Sequence, residues 1–248
     1  MPRIFCIANQ KGGVGKTTTA ITLADGIAKA GAKTLLIDLD PQCNASSGLL
    51  FAPAQTHPLV SRTPIGQSTV KTRTPGLELL PGSRMFSDVE VLTKANANRV
   101  EQMKEQFIRE TSGYDFVIID SPPSLGQLTQ VALACSTEVI MPTQCEFFAL
   151  EGLKQMFDVV KKIMREKPQR LQFASIVQTM YDYSLELTHV VDEDIRHHFG
   201  EIVFKTVIPR DVEIVYAASY GESVLDYAPR SRGARAYIEL CMELLDHA

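Results

Sequence analysis

An apolar run, RIFCIA (3–8), passes without a break into NQKGGVGKTTTA (9–20), and that juncture constrains the fold more than any other part of the chain. A continuous apolar run that ends in a glycine-rich turn reads as a strand buried on both faces. A helical pattern then opens at Lys-Thr-Thr, runs from about Lys16 to Ala30 and is stopped by Gly31. Strand, loop and helix in this order bring backbone N–H groups to a helix N-terminus, where they can cradle phosphate oxygens. The loop follows the phosphate-loop pattern G-x-x-x-x-G-K-[ST] in all but its first position, which is not glycine.

Apolar runs alternate with helical patterns along the rest of the chain. KTLLIDLD (33–40), LELL (77–80), YDFVIIDSPP (114–123), TEVIMPT (137–143), LQFASIVQTM (171–180) and VFKTVIP (203–209) read as strands. Helices are predicted over 87–111 and near 147–166. Buried strands separated by helices imply an α/β fold: one doubly wound, mostly parallel sheet with helices on both faces. With 248 residues, 45% of them hydrophobic, residues 1–248 are read as a single domain. Residues 52–76 depart from the pattern. They are rich in Pro, Ser and Thr, include His57, Arg62, Lys71 and Arg73, and read as an irregular surface excursion. No internal repeat is evident.

Ligands of such sheets sit at the C-terminal strand ends, where the loop, Asp38, Asp40 and Asp120 all fall. The backbone of Gly12, Gly13, Val14 and Gly15 would wrap the phosphates of ATP, with Lys16 reaching the β and γ phosphates. The Thr17 hydroxyl would sit on Mg²⁺, and Thr18 would help to hold the α phosphate. Lys11 comes too early in the chain to duplicate Lys16. A long cation on the mouth side of the loop can point at the phosphates of a neighbouring copy, so that ATP becomes the glue of a homodimer.

The net charge of −4 excludes a polycation, so nucleic-acid binding would need a local patch, one that dimerisation can assemble. Five scattered cysteines without a CxxC pair point to free thiols in a reducing cytoplasm. No signal peptide is expected, and no apolar run approaches the ~20 residues of a membrane span.

The motifs also carry a resemblance. KGGVGKTT is similar to the deviant Walker A motif of the ParA/MinD ATPases, in which the leading lysine acts across a dimer. LLIDLDPQCNAS, YDFVIIDSPPSLG, PTQCEFFALEGL, VFKTVIPR and DYAPRSRGARAYIEL resemble further stretches of chromosomal, Soj-like ParA proteins, over nearly the whole chain. The resemblance implies a P-loop NTPase fold of the ParA/MinD type and slow, partner-stimulated ATP hydrolysis. It implies that Asp40 orients the attacking water, that Asp38 supports the Mg²⁺ shell and that Asp120 holds Mg²⁺ through water. Lys11, Lys16 and Asp40 would be the catalytic set. Pro209 and Arg210, with the loop after Thr179, would border the adenine, and Glu146 would belong to a nucleotide-sensing interface.

The resemblance further implies an ATP-dependent dimer that binds DNA without sequence preference, with Arg230, Arg232 and Arg235 as the phosphate contacts. A ParB-like or cargo-adaptor protein would stimulate hydrolysis, and the protein would be cytoplasmic and nucleoid-associated. Two departures bear on this. The family's IPRNVRLSEAPS reads IPRDVEIVYAAS here, so that Glu213 replaces an arginine. Its MxDxRTxLS reads MYDYSLELT, with Tyr183 or Ser184 in another arginine's place. Each lost phosphate contact weakens DNA binding and flattens its salt dependence. An alternative follows: a ParA-like ATPase that positions a protein assembly, such as a chemoreceptor cluster or microcompartment. An enzyme built like the nitrogenase iron protein would need a cluster-bridging cysteine pair, which Cys135 and Cys145 do not match. The C-terminal RAYIELCMELLDHA carries Glu239, Glu243 and Asp246 on its polar face, which disfavours anionic membranes. No N-terminal helix-turn-helix extension is expected.

Overall fold

The computed structural model describes residues 2–61, 63–86, 97–166 and 171–246. Among these residues eight strands form one sheet: β1 (Arg3–Ile7), β2 (Thr34–Asp38), β3 (Val70–Lys71), β4 (Leu77–Leu80), β5 (Phe116–Asp120), β6 (Glu138–Gln144), β7 (Phe173–Tyr181) and β8 (Val203–Pro209). Their order is β3-β4-β2-β5-β1-β6-β7-β8. Every pairing is parallel except β3 with β4, at one edge. The α/β, doubly wound reading therefore holds.

Residues alternate across the sheet with the two-residue period of a strand. Ile4 and Cys6 of β1 enter one core together with Phe107, Val131, Met156 and Ile195. These come from α4 (Ala97–Glu110), α5 (Gln127–Cys135), α6 (Ala149–Glu166) and α7 (Glu186–Phe199). Phe5 and Ile7 enter the opposite core, with α1 (Lys16–Lys29), α8 (Val212–Ser219), α9 (Val224–Tyr227) and α10 (Arg232–Asp246). The terminal helix α10 thus packs on the core, close against α1. A Cβ on Gly26 would lie 2.7 Å from Cys241 Sγ, so only glycine permits that approach.

Residues 97–110 of the helix expected over 87–111 are helical; its first ten positions, and Arg62, lie outside the described residues. Two short helices, α2 (Asn44–Gly48) and α3 (Pro58–Ser61), lie between β2 and β3. The stretch 52–76 contains α3, a 3₁₀ turn at Ile65–Gln67 and β3. Lys71 and Arg73 are exposed. His57, grouped with the surface cations on sequence grounds, is instead fully buried. Its ring lies 4.7 Å from that of Phe86, and Nδ1 accepts a hydrogen bond from the Leu59 amide at 3.2 Å.

Burial pushes the His57 imidazole down to about 3 from its ordinary 6.5. Between these values the unfolded chain takes up a proton that the folded chain refuses, so stability is present above pH 6.5 and lost as pH falls towards 3. The limiting slope is about 1.4 kcal/mol per pH unit. Urea unfolding between pH 7 and 4 should show a shallower acid loss for His57→Phe than for the wild type. Equal slopes would mean that His57 protonates freely in the folded state.

Candidate functional site

The site begins where β1 stops. Residues 8–15 turn back into α1, with Gly13 at φ 76° and Gly15, the residue before the helix, at φ 85°. Both values lie in the left-handed region that side chains disfavour, so these glycines allow the loop to wrap. Two further ties hold it. Asn9, buried at the strand end, accepts from the Lys11 amide at 3.0 Å and donates to the Pro142 carbonyl at 2.8 Å. The Thr179 hydroxyl donates to the Val14 carbonyl at 2.8 Å.

The two lysines part company at this loop. Lys16 is buried and its ammonium donates back to the Lys11 carbonyl at 3.0 Å. Desolvation lowers its pKa, while Asp120 and then Asp40 oppose the shift. Lys11 stays on the outside, 43% exposed, and pairs with Glu146. Phe147 and Phe148, 77% and 67% exposed, meet edge to face beside that pair.

The carboxylates come from β2 and β5, adjacent strands that run in register, so that Asp38 pairs with Asp120 across the ladder. Both are fully buried. Asp38 accepts from the Ser46 amide at 2.8 Å, the Ser46 hydroxyl at 2.7 Å and the Asp40 amide at 3.2 Å. Gly82 also presses on it: a Cβ there would lie 2.8 Å from the Asp38 carboxyl carbon. Burial nevertheless raises Asp38 to about 6. Asp120 has no such shell. Neither of its oxygens makes a hydrogen bond among the described residues. Burial, and then the neighbouring Asp38, raise its pKa well above the usual carboxylate range. The Thr17 hydroxyl is near enough to lower it in part, without a well-formed bond. Asp40 lies two residues past the end of β2, with Oδ1 taken by the Gln42 amide at 2.8 Å.

A cavity of about 370 Å³ gathers most of these groups, with Gly15, Lys16, Thr17, Thr18, Asp40 and Met180 in its wall. Gly12 and Gly13 also line it. Asp38 and Asp120 lie behind the wall. Pro209 and Arg210 end β8 at the same sheet edge but do not line the cavity. Arg210 is exposed and its amide donates to the Tyr181 carbonyl at 3.0 Å. Met180, at φ 50°, forms that side instead. Glu146 meets Lys11 outside the cavity. Arg230, Arg232 and Arg235 are exposed at the start of α10 and do not line the cavity. Cys135 and Cys145 are both buried free thiols.

Asn9 and Ser46 are site residues to which the sequence reading gave no role, whereas Met180 opens the loop after Thr179 that was expected to border the adenine. Asn9 and Ser46 stand within the quoted motifs, and a polar side chain just after an apolar strand is the signal that singles them out. Nothing local marks the tie from the Thr179 hydroxyl to Val14, because it reaches the loop from a distant strand.

Among the described residues no three His, Cys, Asp or Glu side chains converge as a ligand set, which excludes an all-protein metal cage there. The donors present suit a magnesium ion, which keeps waters and takes one or two carboxylates plus phosphate oxygens. The orphaned Asp120 carboxylate beside the Thr17 hydroxyl is the observation that fits.

A family model described as "AAA domain" matches residues 2–173. The chromosome partitioning protein ParA of Caulobacter vibrioides is 41% identical over 98% of this chain and 94% of its own. The chain belongs to the ParA/MinD family. A second family relative, the sporulation initiation inhibitor protein Soj of Bacillus subtilis, is 37% identical over 98% of each chain. The fold agrees as well. The crystal structure of cobyrinic acid a,c-diamide synthase from Mycobacterium smegmatis with bound ATP analog and magnesium matches with a TM-score of 0.85 at 30% identity. The match covers 100% of this chain and 96% of that one. ParA/MinD membership thus rests on sequence and architecture together. Among the described residues no helix is long and apolar enough to cross a membrane.

An orphaned buried carboxylate costs about 1–3 kcal/mol or more. Asp120→Asn should therefore raise the melting temperature of the nucleotide-free protein at neutral pH by several degrees. A lowered melting temperature would show that the Asp120 charge is already satisfied in the protein alone.

Proposed function

We propose that this chain is a Mg²⁺-dependent ATP hydrolase that dimerises on ATP and uses slow, partner-stimulated hydrolysis to segregate or position DNA cargo on nonspecific DNA. One observation carries the reading. A left-handed glycine turn opens α1 at a buried lysine, and an orphaned carboxylate stands behind the adjacent threonine. Such a site favours a phosphate chain with its cation. Thr17 and, through water, Asp120 would hold the Mg²⁺, with Asp38 on the next strand supporting its shell. Bound there, the ion would neutralise charge on the β and γ phosphates.

The protein's own groups account for the rest of the chemistry. Lys16 already points back over the loop, where the triphosphate would take the place of the Lys11 carbonyl as its partner. The Gln42 amide occupies one oxygen of Asp40 and leaves the other to accept from a water in the cavity. An ordinary aspartate is a weak base, so Asp40 positions that water rather than activating it strongly, and hydrolysis is slow. Slow hydrolysis suits a timer with ATP-bound dimer and nucleotide-free monomer as its two states.

Lys11 supplies the link between copies. It is half exposed and held by Glu146 of its own chain, so a second copy's triphosphate would compete with that carboxylate for it. Phe147 and Phe148 lie next to the pair and would be covered in the same dimer. The reading of the cargo follows from the similarity to ParA and Soj. The partner would be a ParB-like or cargo-adaptor protein, and the complex would sit on the nucleoid. A second reading keeps the ATP switch and replaces the DNA cargo with a protein assembly. Glu213, and Tyr183 or Ser184, in the places of two family arginines, favour it.

Lys16→Ala should abolish nucleotide binding, read by fluorescent ATP-analogue titration. Asp40→Ala should bind ATP with Mg²⁺ and elute as a stable dimer on size-exclusion chromatography. A monomeric Asp40→Ala protein at saturating ATP would sink the timer. Adding Lys11→Ala to that variant should return it to monomer while ATP stays bound. Gel-shift assays with the Asp40→Ala dimer at low and physiological salt test the DNA reading, which the absence of any shift would remove in its usual form.

A further inference from the structure

β7 changes phase just before it ends. Ile176 and Tyr181 belong to one core and Val177 to the opposite one. In a regular strand residues five apart face opposite ways, so Ile176 and Tyr181 should not share a side. The register with β8 shows where the phase slips. Gln178 pairs with Val207 and Tyr181 with Pro209, so three steps along β7 match two along β8. One extra residue therefore bulges from β7 between Gln178 and Tyr181. Met180, at φ 50°, stands at that bulge. A methionine in the left-handed region is strained and persists only where its surroundings over-determine it.

The bulge turns two consecutive residues towards the phosphate loop. The Thr179 hydroxyl bonds the Val14 carbonyl, and Met180 stands in the cavity wall. A Cβ on Gly15 would lie 3.9 Å from each of them. Bulges beside functional sites re-aim side chains in this way. The Gln144 amide, from the end of β6, donates to the Met180 sulfur.

A single carboxylate on α7 reaches both flanks of the bulge. Asp192 Oδ1 accepts from the Gln178 amide at 2.6 Å, and its Oδ2 accepts from the Tyr181 hydroxyl at 3.0 Å. Gln178 is fully buried and Tyr181 nearly so. A glutamine inside a sheet is costly unless its amide is satisfied. Here both ends are used, since the Arg196 guanidinium donates to the Gln178 oxygen at 3.3 Å. Arg196 also donates to Asp192 Oδ1 at 2.6 Å and to the Phe204 carbonyl of β8 at 3.2 Å. The network thus grips both strands of the irregular pair. His189 Nδ1 stands 3.3 Å from the Tyr181 hydroxyl. Burial, with Asp192 beside it, pushes the Tyr181 phenol up to about 12, so it remains a donor through the neutral range.

We propose that Asp192 is a positioning residue for the nucleotide site: its two oxygens staple the flanks of the bulge, and so hold Thr179 on the loop and Met180 in the cavity wall. Asp192, Gln178 and Tyr181 do not line the cavity themselves, so the effect passes through β7. The consequence for ATP rests on the hydrolase reading above, whereas the staple does not.

Asp192→Asn keeps the shape and one acceptor oxygen, enough for one flank, and Tyr181→Phe removes one donor. Each should weaken ATP-analogue binding ~10-fold, the scale of one hydrogen bond to a charged group. Steady-state kinetics should show KM raised and kcat kept. The two changes together should do no more than either alone, because they break one staple. Ile195→Val, at a fully buried position of α7, is the control for loosened packing. It should lower the melting temperature and leave KM alone. Methionine ¹³C-methyl NMR of the nucleotide-free full chain reads the bulge directly, with the Met180 signal assigned through Met180→Leu. That signal should move in Asp192→Asn and Tyr181→Phe and stay in place in Ile195→Val. A Met180 signal unmoved in both staple variants overturns the proposal. So do additive losses in the double variant, or KM values that merely follow melting temperature in all three single variants. A wild type that binds no ATP analogue would remove the hydrolase reading and leave the Met180 signal to decide the staple.

Discussion

Charge removed from water at the ends of three neighbouring strands is the constraint around which the protein is arranged. β2, β5 and β1 run parallel and finish together, which brings Asp38, Asp120 and the root of the phosphate loop to one edge. Taking a carboxylate out of water is unfavourable unless donors replace the water. Asp38 receives three donors, two of them from Ser46, and with them it ties α2 to the sheet. Asp120 receives none that bond it well. One strand-end aspartate therefore braces the site, and the other is left for a cation. Lys16, the single buried ammonium among the described residues, does not balance both.

The same loop gives its two lysines opposite fates. Asn9 and Thr179 hold its backbone so that α1 begins at Lys16 with that side chain folded back over the loop. Lys11, five residues earlier, leaves on the far side and reaches Glu146 at the foot of α6. The pair is half exposed, so its net contribution to stability is small and easily exchanged. A contact that is cheap to break suits a side chain whose proposed partner belongs to a second copy.

Much of this was legible in the chain itself. The parallel α/β architecture followed from apolar strands without alternation, and the loop from its glycines and Lys-Thr-Thr. The edge strand β3 was missed because two residues inside a Pro- and Thr-rich stretch have no readable period. They become a strand by pairing with β4. His57 was misplaced for a related reason. A histidine among polar neighbours reads as surface, yet Phe86 and the Leu59 amide enclose it. α8 left an ambiguous trace, since an apolar run of eight residues fits a buried helix or a strand.

The linear order of residues determined whatever acts over a few positions: the strand–loop–helix, the left-handed glycines, and two lysines set five residues apart around one turn. Backbone geometry and local hydrogen bonding operate at that range, so they need no distant partner. Folding decided which of three aspartates keeps donors and which stands bare. It also set Lys11 against Glu146 and brought Met180 rather than Pro209 to the cavity wall. Those outcomes depend on burial and on distances between strands far apart in the chain, and desolvation has no value until the fold has excluded the water.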